Sequence, residues 1–359
     1  MKNEIRVLLI ASPLKLELYR SIWRFLPEDI KLGVVSAEHA YGGRIPFLRR
    51  DIWYIPRRLL LHELIKFRPD IVFTNYPAYP SWFAKFYSFL RQERTPLIAW
   101  LLGDPWSEYF AYHAPLRDRP FRPLYLFSWS TGLQLSDRIL TICDWLRRIT
   151  QERYPGKPVS VQYQGVDPKI WMTLEKPYAF KRPAVGILQD HNILPKVQGL
   201  LWFSEVVKKM TDVDFYIAGA GIYTHLVHRA YEGHQNVHFV GRLEYPRGVR
   251  RFYQSCDLYA HPSGLDCFPA TILEASLSSL PIVASRVGGI PEMIVEGKTG
   301  WIVPNGETDS WVSRIRKLLG EKKLATRMGA NSKQLVLQEF TWKHQAQLLA
   351  QIFRNELDA

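Results

Sequence analysis

Three features are scarce in this chain of 359 residues, and each scarcity excludes a class of protein. Cysteine occurs at Cys143, Cys256 and Cys267, and no two cysteines have the Cys-x-x-Cys spacing. We therefore expect buried thiols in a reducing compartment, with no disulfide framework and no structural zinc. No apolar run reaches the roughly 18 residues that a membrane-spanning helix needs. The N-terminus lacks the apolar core of a secretory signal, which predicts a cytoplasmic protein.

Acidic residues are also in the minority, since the formal net charge is +13. Residues 1–172 hold 25 Lys and Arg against 16 Asp and Glu, a net charge of +9, and eight of the twelve tryptophans. A basic, aromatic half suits an anionic partner with an apolar part, such as a membrane surface or a lipid phosphate. A generic solubilising charge around a Trp-rich core explains the same composition. No nucleic-acid-binding motif occurs, so we expect no nucleic acid as a partner.

Short apolar runs alternate with longer amphipathic runs, which predicts parallel sheets covered by helices on both faces. The pattern pauses at a polar stretch, residues 167–183, and then restarts. The predicted strands are Arg6–Ala11, Lys31–Ser36, Ile71–Thr74, Leu97–Leu102, Arg138–Ile142, Val185–Leu188, Phe215–Ala218, Val237–Val240, Leu258–Ala260 and Ile282–Ala284. The predicted fold class is α/β, with two Rossmann-like, doubly wound domains facing across a cleft.

Helices are predicted between these strands and after the last of them. They are Leu14–Leu26, Trp82–Arg91, Trp145–Arg153, Leu200–Met210, Tyr223–Tyr231, Arg247–Ser255, Ala270–Leu277, Trp311–Leu319, Lys322–Phe340 and Trp342–Leu357. We place one domain at residues 1–172 and a second at residues 173–342. Residues 343–359 are expected to form a helix that returns to the N-terminal domain. Ligands of such folds bind at the carboxyl ends of the strands.

The segment His261–Ala275 carries the clearest chemistry, because it follows a predicted strand and opens a helix near Pro269. Proline suits a first helical turn, whose free N–H groups can bind a diphosphate or a sugar hydroxyl. Asp266 and Glu274 lie eight positions apart, and a carboxylate can accept two hydrogen bonds from a sugar diol. Considered alone, a helix cap at Asp266 and a solvated Glu274 are the simpler explanation.

With its neighbouring motifs, however, this segment resembles the retaining glycosyltransferases of family 4, the group 1 transferases of GT-B fold. Their signature is an acidic residue, seven intervening residues and a glutamate, which reads here Asp266-Cys-Phe-Pro-Ala-Thr-Ile-Leu-Glu274. The resemblance covers about residues 160–345, whereas the first half resembles the family only in architecture. The other similar motifs, in the family's order, are Gln164–Asp167, Phe215–Gly221, Asn236–Gly241, Leu280–Glu292, Glu296–Pro304 and Phe340–Trp342.

The resemblance implies an acceptor domain at residues 1–172 and a nucleotide-sugar-binding domain at residues 173–342. Glu274 would bind the ribose hydroxyls of the nucleotide, and Asp266 the hydroxyls of the transferred sugar. The backbone N–H groups of Phe268 and Ala270 would face the sugar or the diphosphate. The other donor-binding residues that the resemblance implies are His191, Lys196, Gly241, Arg242, Leu243, Cys267 and Pro269.

Several positions depart from the family's pattern. Lys196 stands at the expected phosphate-binding lysine, but His191 stands where an arginine is expected. A histidine is charged only below a pKa near neutrality, whereas an arginine is always charged. Either the diphosphate is held less strongly or a first-domain arginine assists, and Lys196 could instead be a surface lysine at a helix start. Asp266 is shorter than the usual glutamate, and Cys267 replaces a common glycine.

The first domain departs further. Ala11–Lys15 lacks the family's glycine-rich loop, and Gly103 stands where a histidine is expected. Asp104, which follows it, has an acceptor-binding or catalytic role or caps a turn. Tyr41–Arg44 is either an acceptor loop or a turn.

The resulting prediction is a retaining hexosyltransferase that moves a sugar from a UDP- or GDP-linked donor to an acceptor hydroxyl. The acceptor would be a growing glycan or a lipid-linked molecule, and the protein would be peripheral at a membrane. Lys196, Asp266 and Asp104 are the predicted catalytic residues, with no cofactor and no metal, and the acceptor proton passes to the leaving phosphate. Two alternatives remain open: an epimerase or phosphorylase of the same fold, and a non-catalytic paralogue that binds nucleotide sugars.

Overall fold

The computed structural model describes residues 4–11, 21–36, 60–106 and 122–358, which divide into two compact units. The N-terminal unit comprises the described residues up to Pro105, residues 122–163, and the chain from Trp342 onward. The C-terminal unit comprises Trp106 and the chain from Gln164 to Thr341. The chain therefore returns to the N-terminal unit for its last helix.

A parallel sheet of six strands forms the centre of the N-terminal unit. Its strands are β1 (Ile5–Ala11), β2 (Ile30–Ser36), β3 (Ile71–Thr74), β4 (Leu97–Leu101), β5 (Arg138–Thr141) and β6 (Val159–Val161). They lie in the order β2-β1-β3-β4-β5-β6. The described helices of this unit are α1 (Leu60–Phe67), α2 (Tyr79–Arg91), α3 (Arg122–Leu135), α4 (Asp144–Arg153) and, numbered by its place in the chain, α12 (Trp342–Asp358).

The C-terminal helix α12 covers one face of this sheet. Its buried residues Ala346, Leu349, Ala350 and Phe353 have the spacing i, i+3, i+4 and i+7, which gives the helix one continuous apolar stripe. The Phe353 ring meets Phe73 of β3 edge-on, with the ring centroids 5.4 Å apart. This packing accounts for the return of the chain to the first unit.

A second six-stranded parallel sheet forms the centre of the C-terminal unit. Its strands are β7 (Ala184–Leu188), β8 (Asp214–Ala218), β9 (Val237–Gly241), β10 (Leu258–His261), β11 (Ile282–Ser285) and β12 (Gly300–Val303), in the order β12-β11-β10-β7-β8-β9. The helices are α5 (Pro168–Trp171), α6 (Leu194–Lys208), α7 (Thr224–Ala230), α8 (Arg247–Gln254), α9 (Ala270–Leu277), α10 (Thr308–Gly320) and α11 (Lys322–Glu339). A 3-10 turn spans Ile290–Met293.

Aromatic packing fills the core between this second sheet and its helices. Phe203 of α6 meets Trp311 of α10 edge-on at 5.1 Å and Phe215 of β8 at 6.0 Å, measured between ring centroids. All three side chains are fully buried. Burial of this size stabilises the unit chiefly by the hydrophobic effect.

The prediction of two doubly wound α/β units is confirmed by these two sheets. The predicted strands agree with the structure to within one residue at each end. Helix α6 begins six residues before the predicted start at Leu200, because Pro195 occupies its first turn. The units change over at residues 163 and 164 rather than at 172, since Trp171 packs against Tyr245 and Tyr253 of the second unit.

Among the strands and α-helices of the described residues, five were not predicted: β6, β12, α1, α3 and α5. Strand β6 is only three residues long, which leaves too few positions to show a periodic pattern. Helix α3 shows no amphipathic period, because it carries apolar residues on its buried and exposed faces alike.

Some predictions fall outside the described residues. They include Tyr41–Arg44, most of Ala11–Lys15 and the first part of the predicted helix Leu14–Leu26, of which residues 21–23 are helical. Within the described ranges, no helix combines the length and the apolar character needed to cross a bilayer.

Truncation of Phe353 should destabilise the N-terminal unit selectively. Phe353→Ala leaves a cavity against β3, which costs about 3–5 kcal/mol in a well-packed core. Hydrogen exchange in peptides from β1 and β3, followed in urea, reports this unit separately from the other. Leu348→Ala, at a position that is 37% exposed on the same helix, is the matched control. Equal exchange in the two variants would show that α12 does not support the sheet.

Candidate functional site

The candidate site lies at the carboxyl edge of the second sheet, where the strand order reverses. Strand β7 is the first strand of this sheet, and it has β8 on one side and β10 on the other. The chain leaves β7 and β10 in opposite directions, so the loops after these strands border a crevice. The loop after β7 leads to Lys196 in the first turn of α6, and the loop after β10 leads to Asp266.

Lys196 and Asp266 form a buried ion pair across this crevice. The Lys196 Nζ atom lies 2.9 Å from Asp266 Oδ2, and their side chains are 18% and 5% exposed. Lys196 is therefore not a surface lysine. Nor does Asp266 cap α9, which begins at Ala270 after Pro269 and has no side-chain cap. Both simpler explanations are wrong for these two residues.

Two glycines allow the backbones on either side of the pair to approach closely. A Cβ atom at Gly199 of α6 would lie 2.3 Å from the Cα atom of Ser263, and one at Gly264 would lie 2.3 Å from the carbonyl oxygen of Pro195. The Gly264 N–H also donates a hydrogen bond to that oxygen, at 3.0 Å. Any larger residue would push the first turn of α6 away from the loop that carries Asp266.

A second pair of glycines supports Asp266 from the turn that follows β11. Gly288 has φ of +53°, and a Cβ atom there would lie 2.0 Å from the Asp266 carbonyl oxygen. The N–H of Gly289 donates to the same oxygen at 3.2 Å. This backbone conformation and this close approach both require glycine. The motif Leu280–Glu292 thus acts on the site through its main chain.

Asp266 stays ionised in this setting. Burial alone raises the pKa of its carboxyl group, but the Lys196 ammonium and the His261 ring together lower that pKa below its usual value. The carboxylate can therefore accept hydrogen bonds from a bound hydroxyl at neutral pH.

His261 and Tyr259 are members of the site to which the sequence analysis gave no role. His261 Nε2 lies 3.5 Å from Asp266 Oδ2 and has no hydrogen-bond partner among the described residues. On its other side, His261 Nδ1 lies 3.1 Å from the Tyr259 hydroxyl. Two residues apart on β10, these side chains point to the same face of the strand. That period of two was visible in the sequence Leu-Tyr-Ala-His and could have identified the pair.

Glu274 lies in the second turn of α9 and is buried, not solvated. Its Oε2 accepts a hydrogen bond of 3.1 Å from the Tyr253 hydroxyl, and Tyr253 packs edge-on against Tyr259 at 5.5 Å. Burial raises the pKa of Glu274 to about 8, although the Tyr253 hydrogen bond opposes that shift. The two acidic residues of the motif thus differ in state, with Asp266 ionised and Glu274 mostly protonated at neutral pH.

His191 contributes no positive charge to this edge of the sheet. Its side chain is 1% exposed, and burial lowers the pKa of the ring by more than the nearby Asp190 carboxylate raises it. Nδ1 lies 3.2 Å from Thr224 Oγ1, and Nε2 has no hydrogen-bond partner in the described part of the chain. The turn after β8 packs closely here, since a Cβ atom at Gly219 would lie 3.0 Å from Nε2.

The remaining predicted donor-binding residues occupy two places. Gly241 ends β9 with φ of +74°, and its carbonyl oxygen accepts a hydrogen bond from Gly219; Arg242 is exposed and Leu243 half-buried. The run of residues from 267 to 270 leads into α9. In this run the first three side chains, Cys267, Phe268 and Pro269, are buried and Ala270 is half-buried.

Asp104 belongs to the N-terminal unit, where it is buried just after β4. Its predicted catalytic or acceptor-binding role stays a prediction. The described residues contain no group of three His, Cys, Asp or Glu side chains placed to hold a metal ion.

Two family models match this chain. The model described as "Glycosyl transferases group 1" matches residues 187–321, which contain the site. The model described as "Glycosyltransferase Family 4" matches residues 4–170. The chain belongs to the group 1 glycosyltransferases of family 4. The resemblance inferred from the motifs is thus confirmed, and it extends to the first half.

Curated relatives of this chain are matched over only part of their own length. The sulfoquinovosyl transferase SQD2 of Arabidopsis thaliana is 22% identical over 352 residues, covering 85% of this chain and 62% of the relative. A GDP-mannose-dependent monoacylated alpha-(1-6)-phosphatidylinositol monomannoside mannosyltransferase of Corynebacterium glutamicum is 30% identical over 160 residues, 42% of each chain. The chain thus spans less than two thirds of the length of these relatives.

Solved structures match the whole of the described fold. Sucrose-phosphate synthase from Thermosynechococcus elongatus has a TM-score of 0.72 at 14% identity, over 99% of this chain and 100% of that chain. Anabaena HepE in complex with UDP has a TM-score of 0.71 at 16% identity, over 98% and 100%. This likeness shows the fold alone, and it confirms the two-unit α/β architecture of the glycosyltransferase.

Removal of Lys196 should destabilise the C-terminal unit at neutral pH. Lys196→Met leaves the Asp266 carboxylate buried without its cation, and breaking a buried pair in this way costs about 3–5 kcal/mol. Lys208→Met, on the same helix at a position that is 54% exposed, should change stability by less than about 0.5 kcal/mol. Calorimetric melting measures both. The ion pair would be contradicted if Lys196→Met lost no more stability than Lys208→Met. It would also be contradicted if adding Asp266→Asn to Lys196→Met restored none of the lost stability.

Because the pKa of Glu274 is raised, the stability of Glu274→Gln relative to the wild type should depend on pH. Between about pH 4.5 and about pH 8 the unfolded chain releases a proton that folded Glu274 keeps, so the wild-type contribution to stability falls as pH rises. The non-titrating variant should gain melting temperature relative to the wild type across that window and level off above it. Glu232→Gln, at an exposed position, should show no such trend. If the melting-temperature difference between Glu274→Gln and the wild type did not change with pH, the pKa of folded Glu274 would be ordinary and its environment polar.

Proposed function

We propose that this glycosyltransferase moves a sugar from a UDP- or GDP-linked donor to an acceptor hydroxyl with retention of configuration. The observation that carries the proposal is the buried Lys196–Asp266 pair at the strand reversal, with the start of α9 beside it and Glu274 one turn further. Lys196 and the start of α9 can bind an anion, and the carboxyl groups of Asp266 and Glu274 can bind diols. That combination suits a sugar diphosphate.

The diphosphate would lie over Lys196 and the free N–H groups at the starts of α6 and α9. Lys196 would neutralise the charge that develops on the leaving phosphate, an electrostatic stabilisation of the transition state. Asp266 would accept hydrogen bonds from the transferred sugar. His191, being neutral, would supply at most a hydrogen bond and not the charge of the arginine that the family usually carries there. We expect no metal and no cofactor in this reaction.

Glu274 would bind the ribose hydroxyls, and its raised pKa adds a consequence. Hydrogen bonds donated by a diol favour the ionised form of a carboxyl group and so lower its pKa. Donor binding should therefore release a proton from Glu274, and donor affinity should rise with pH up to about 8. The HepE structures, which hold UDP and UDP-glucose in that protein, support the choice of a nucleotide donor.

The acceptor would be a growing glycan or a lipid-linked molecule. Relatives are named for acceptors such as phosphatidylinositol monomannoside and inositol 3-phosphate, which supports an alcohol on a lipid or polyol. Asp104 is the proposed acceptor-side residue, and the acceptor proton would pass to the leaving phosphate. We propose that the enzyme works in the cytoplasm, peripherally at a membrane.

A melting-temperature panel of UDP-, GDP- and ADP-sugars tests donor binding. A donor at about a hundred times its dissociation constant stabilises the native state by about 2.7 kcal/mol, a rise on the order of 5–10 °C. Glu274→Ala should remove about half of that rise or more, because a charge-assisted hydrogen bond is worth about tenfold or more in affinity. Glu232→Ala is the matched control at an exposed position. No rise with any donor would refute the proposal.

A measurement of turnover distinguishes sugar transfer from the two alternatives, a non-catalytic paralogue and an epimerase. Radiolabelled donor should appear in a larger product with its anomeric configuration kept, and a chelator should leave the rate unchanged. Donor binding without turnover would indicate a non-catalytic paralogue, and a donor returned with one inverted hydroxyl would indicate an epimerase.

A further inference from the structure

Two nitrogen-bearing side chains face the same oxygen of Asp266, which is the carboxylate that the proposed function assigns to the transferred sugar. Lys196 Nζ lies 2.9 Å from Asp266 Oδ2, and His261 Nε2 lies 3.5 Å from the same atom. The His261 side chain is only 1% exposed, so bulk water does not hydrate this nitrogen. The proposed reaction gives Lys196 and Asp266 a task each, and it leaves His261 without one.

The ion pair between Lys196 and Asp266 competes with the donor. A diphosphate over the first turn of α6 would draw the Lys196 ammonium group toward itself, and the flexible stem of a lysine permits that movement. Burial penalises the charged form of Asp266, so with its cation further away its pKa would rise and it would take up a proton. The site therefore needs a second group that keeps this carboxylate charged while Lys196 holds the phosphates.

The hydrogen bonds behind His261 determine where its protons lie. The Tyr259 hydroxyl lies 3.1 Å from the Leu188 carbonyl oxygen and 3.1 Å from His261 Nδ1. Burial raises the pKa of this hydroxyl, which therefore keeps its proton. A hydroxyl donates one hydrogen bond and a carbonyl oxygen only accepts, so both contacts are satisfied only when the hydroxyl donates to Leu188. His261 Nδ1 must then donate to the hydroxyl oxygen.

The other ring nitrogen faces the carboxylate. With Nδ1 protonated, Nε2 of His261 either carries a second proton or directs a lone pair at Asp266 Oδ2. A lone pair and a carboxylate oxygen repel each other, whereas an N–H group there is attracted to the carboxylate. Nε2 has no hydrogen-bond partner within the part of the chain that the structure describes, and a shift of about 0.5 Å would complete a hydrogen bond to Oδ2. The doubly protonated ring is the state that fits these surroundings.

We propose that His261 is a positioning residue that carries a proton on both ring nitrogens and keeps Asp266 ionised while the donor diphosphate engages Lys196. This inference rests on the proposed function, because it concerns the state of the site during transfer. Tyr259 holds the ring from behind, and the charge of the ring takes the place of the ammonium group beside Asp266. The site thus has one cation for the leaving group and another for the carboxylate.

A double-mutant cycle tests the contact without any donor. Lys196→Met imitates the state in which the ammonium group is engaged elsewhere. His261→Leu should lower the melting temperature more in that background than in the wild type, because in that background Asp266 loses both groups that face its Oδ2. Adding Asp266→Asn to both backgrounds should abolish the excess.

His238→Leu is the matched control for this cycle. It removes a partly exposed His–Asp pair on β9, in which His238 Nε2 lies 2.5 Å from Asp214 Oδ1. This substitution should lower the melting temperature equally in the wild type and in Lys196→Met. Equal losses for His261→Leu in the two backgrounds would overturn the proposal, whatever the donor experiments show.

Nitrogen-15 NMR of the histidine ring reads the protons directly in the folded wild type and does not depend on the stability of any double variant. The His261 signals, identified by their loss in His261→Leu, should show both ring nitrogens protonated at neutral pH. Asp266→Asn should leave a single proton, because a neutral amide does not stabilise a charged ring. A wild-type ring with one proton would overturn the proposal.

Several ionisable groups face the chain of hydrogen bonds from Tyr259 to Asp266. Burial raises the pKa of Tyr253 and Tyr259, so both hydroxyls stay neutral over the working range of pH. Glu274 titrates separately, because donor binding is proposed to remove its proton before turnover. Within the described ranges, the groups that β10, α6, α8, α9 and the loop after β10 bring to this chain are Tyr259, Lys196, Tyr253, Glu274 and Asp266.

The pH dependence of kcat at saturating donor tests the role during transfer, because kcat reports the pKa values of the enzyme–donor complex. The acid limb should move up by about one pH unit in His261→Leu, which is about a tenfold loss of rate on that limb. It should move less in His261→Gln, which keeps an N–H group toward Asp266 but no charge. A loss of kcat that is equal at every pH would show a purely structural role and overturn the proposal.

The two proposals fail in different ways. Normal transfer with an additive cycle would overturn the role of His261 and leave the proposed function intact. A coupled cycle and a doubly protonated ring in a protein that binds no donor would refute the proposed function and not the contact between His261 and Asp266.

Discussion

The candidate site depends on the close approach of two backbones, the first turn of α6 and the loop after β10. Gly199 and Gly264 permit that approach, and it brings Lys196 within 2.9 Å of Asp266. A side chain at either glycine would separate the two elements and leave a carboxylate buried without its cation, which is costly. The ion pair is thus a consequence of main-chain packing, and the glycines matter to the chemistry although they carry none of it.

The two acidic residues of the motif carry the same functional group, but their environments give the two carboxyl groups different charge states. Asp266 faces an ammonium group and a histidine ring, so its pKa is lowered and it remains ionised. Glu274 is also buried, and burial raises its pKa to about 8 although the hydrogen bond from Tyr253 opposes that shift. Carboxyl groups whose environments drive their pKa values apart are typical of sites that need one charged and one neutral acid.

The N-terminal unit differs in character from the C-terminal unit. It carries most of the excess positive charge, and its helices α2 and α3 expose large apolar side chains. The C-terminal unit carries the motifs of the family and the candidate donor site. The family model that matches the first half covers residues 4–170, so this unit resembles the family over its whole length and not through the short motifs that mark the donor site.

Sequence alone determined the fold class, most strands, and the motif that contains both Asp266 and Glu274. Apolar periodicity and short motifs are encoded by residues that are close together along the chain. Sequence did not determine that Lys196 contacts Asp266, 70 positions away along the chain, nor that His261 and Tyr259 join them. It also could not show that His191 is buried and neutral, or that α3 exposes one of its two apolar faces. Burial and distance arise only when remote segments pack, and they decide which groups carry charge. The tertiary structure therefore decided the electrostatic state of the site.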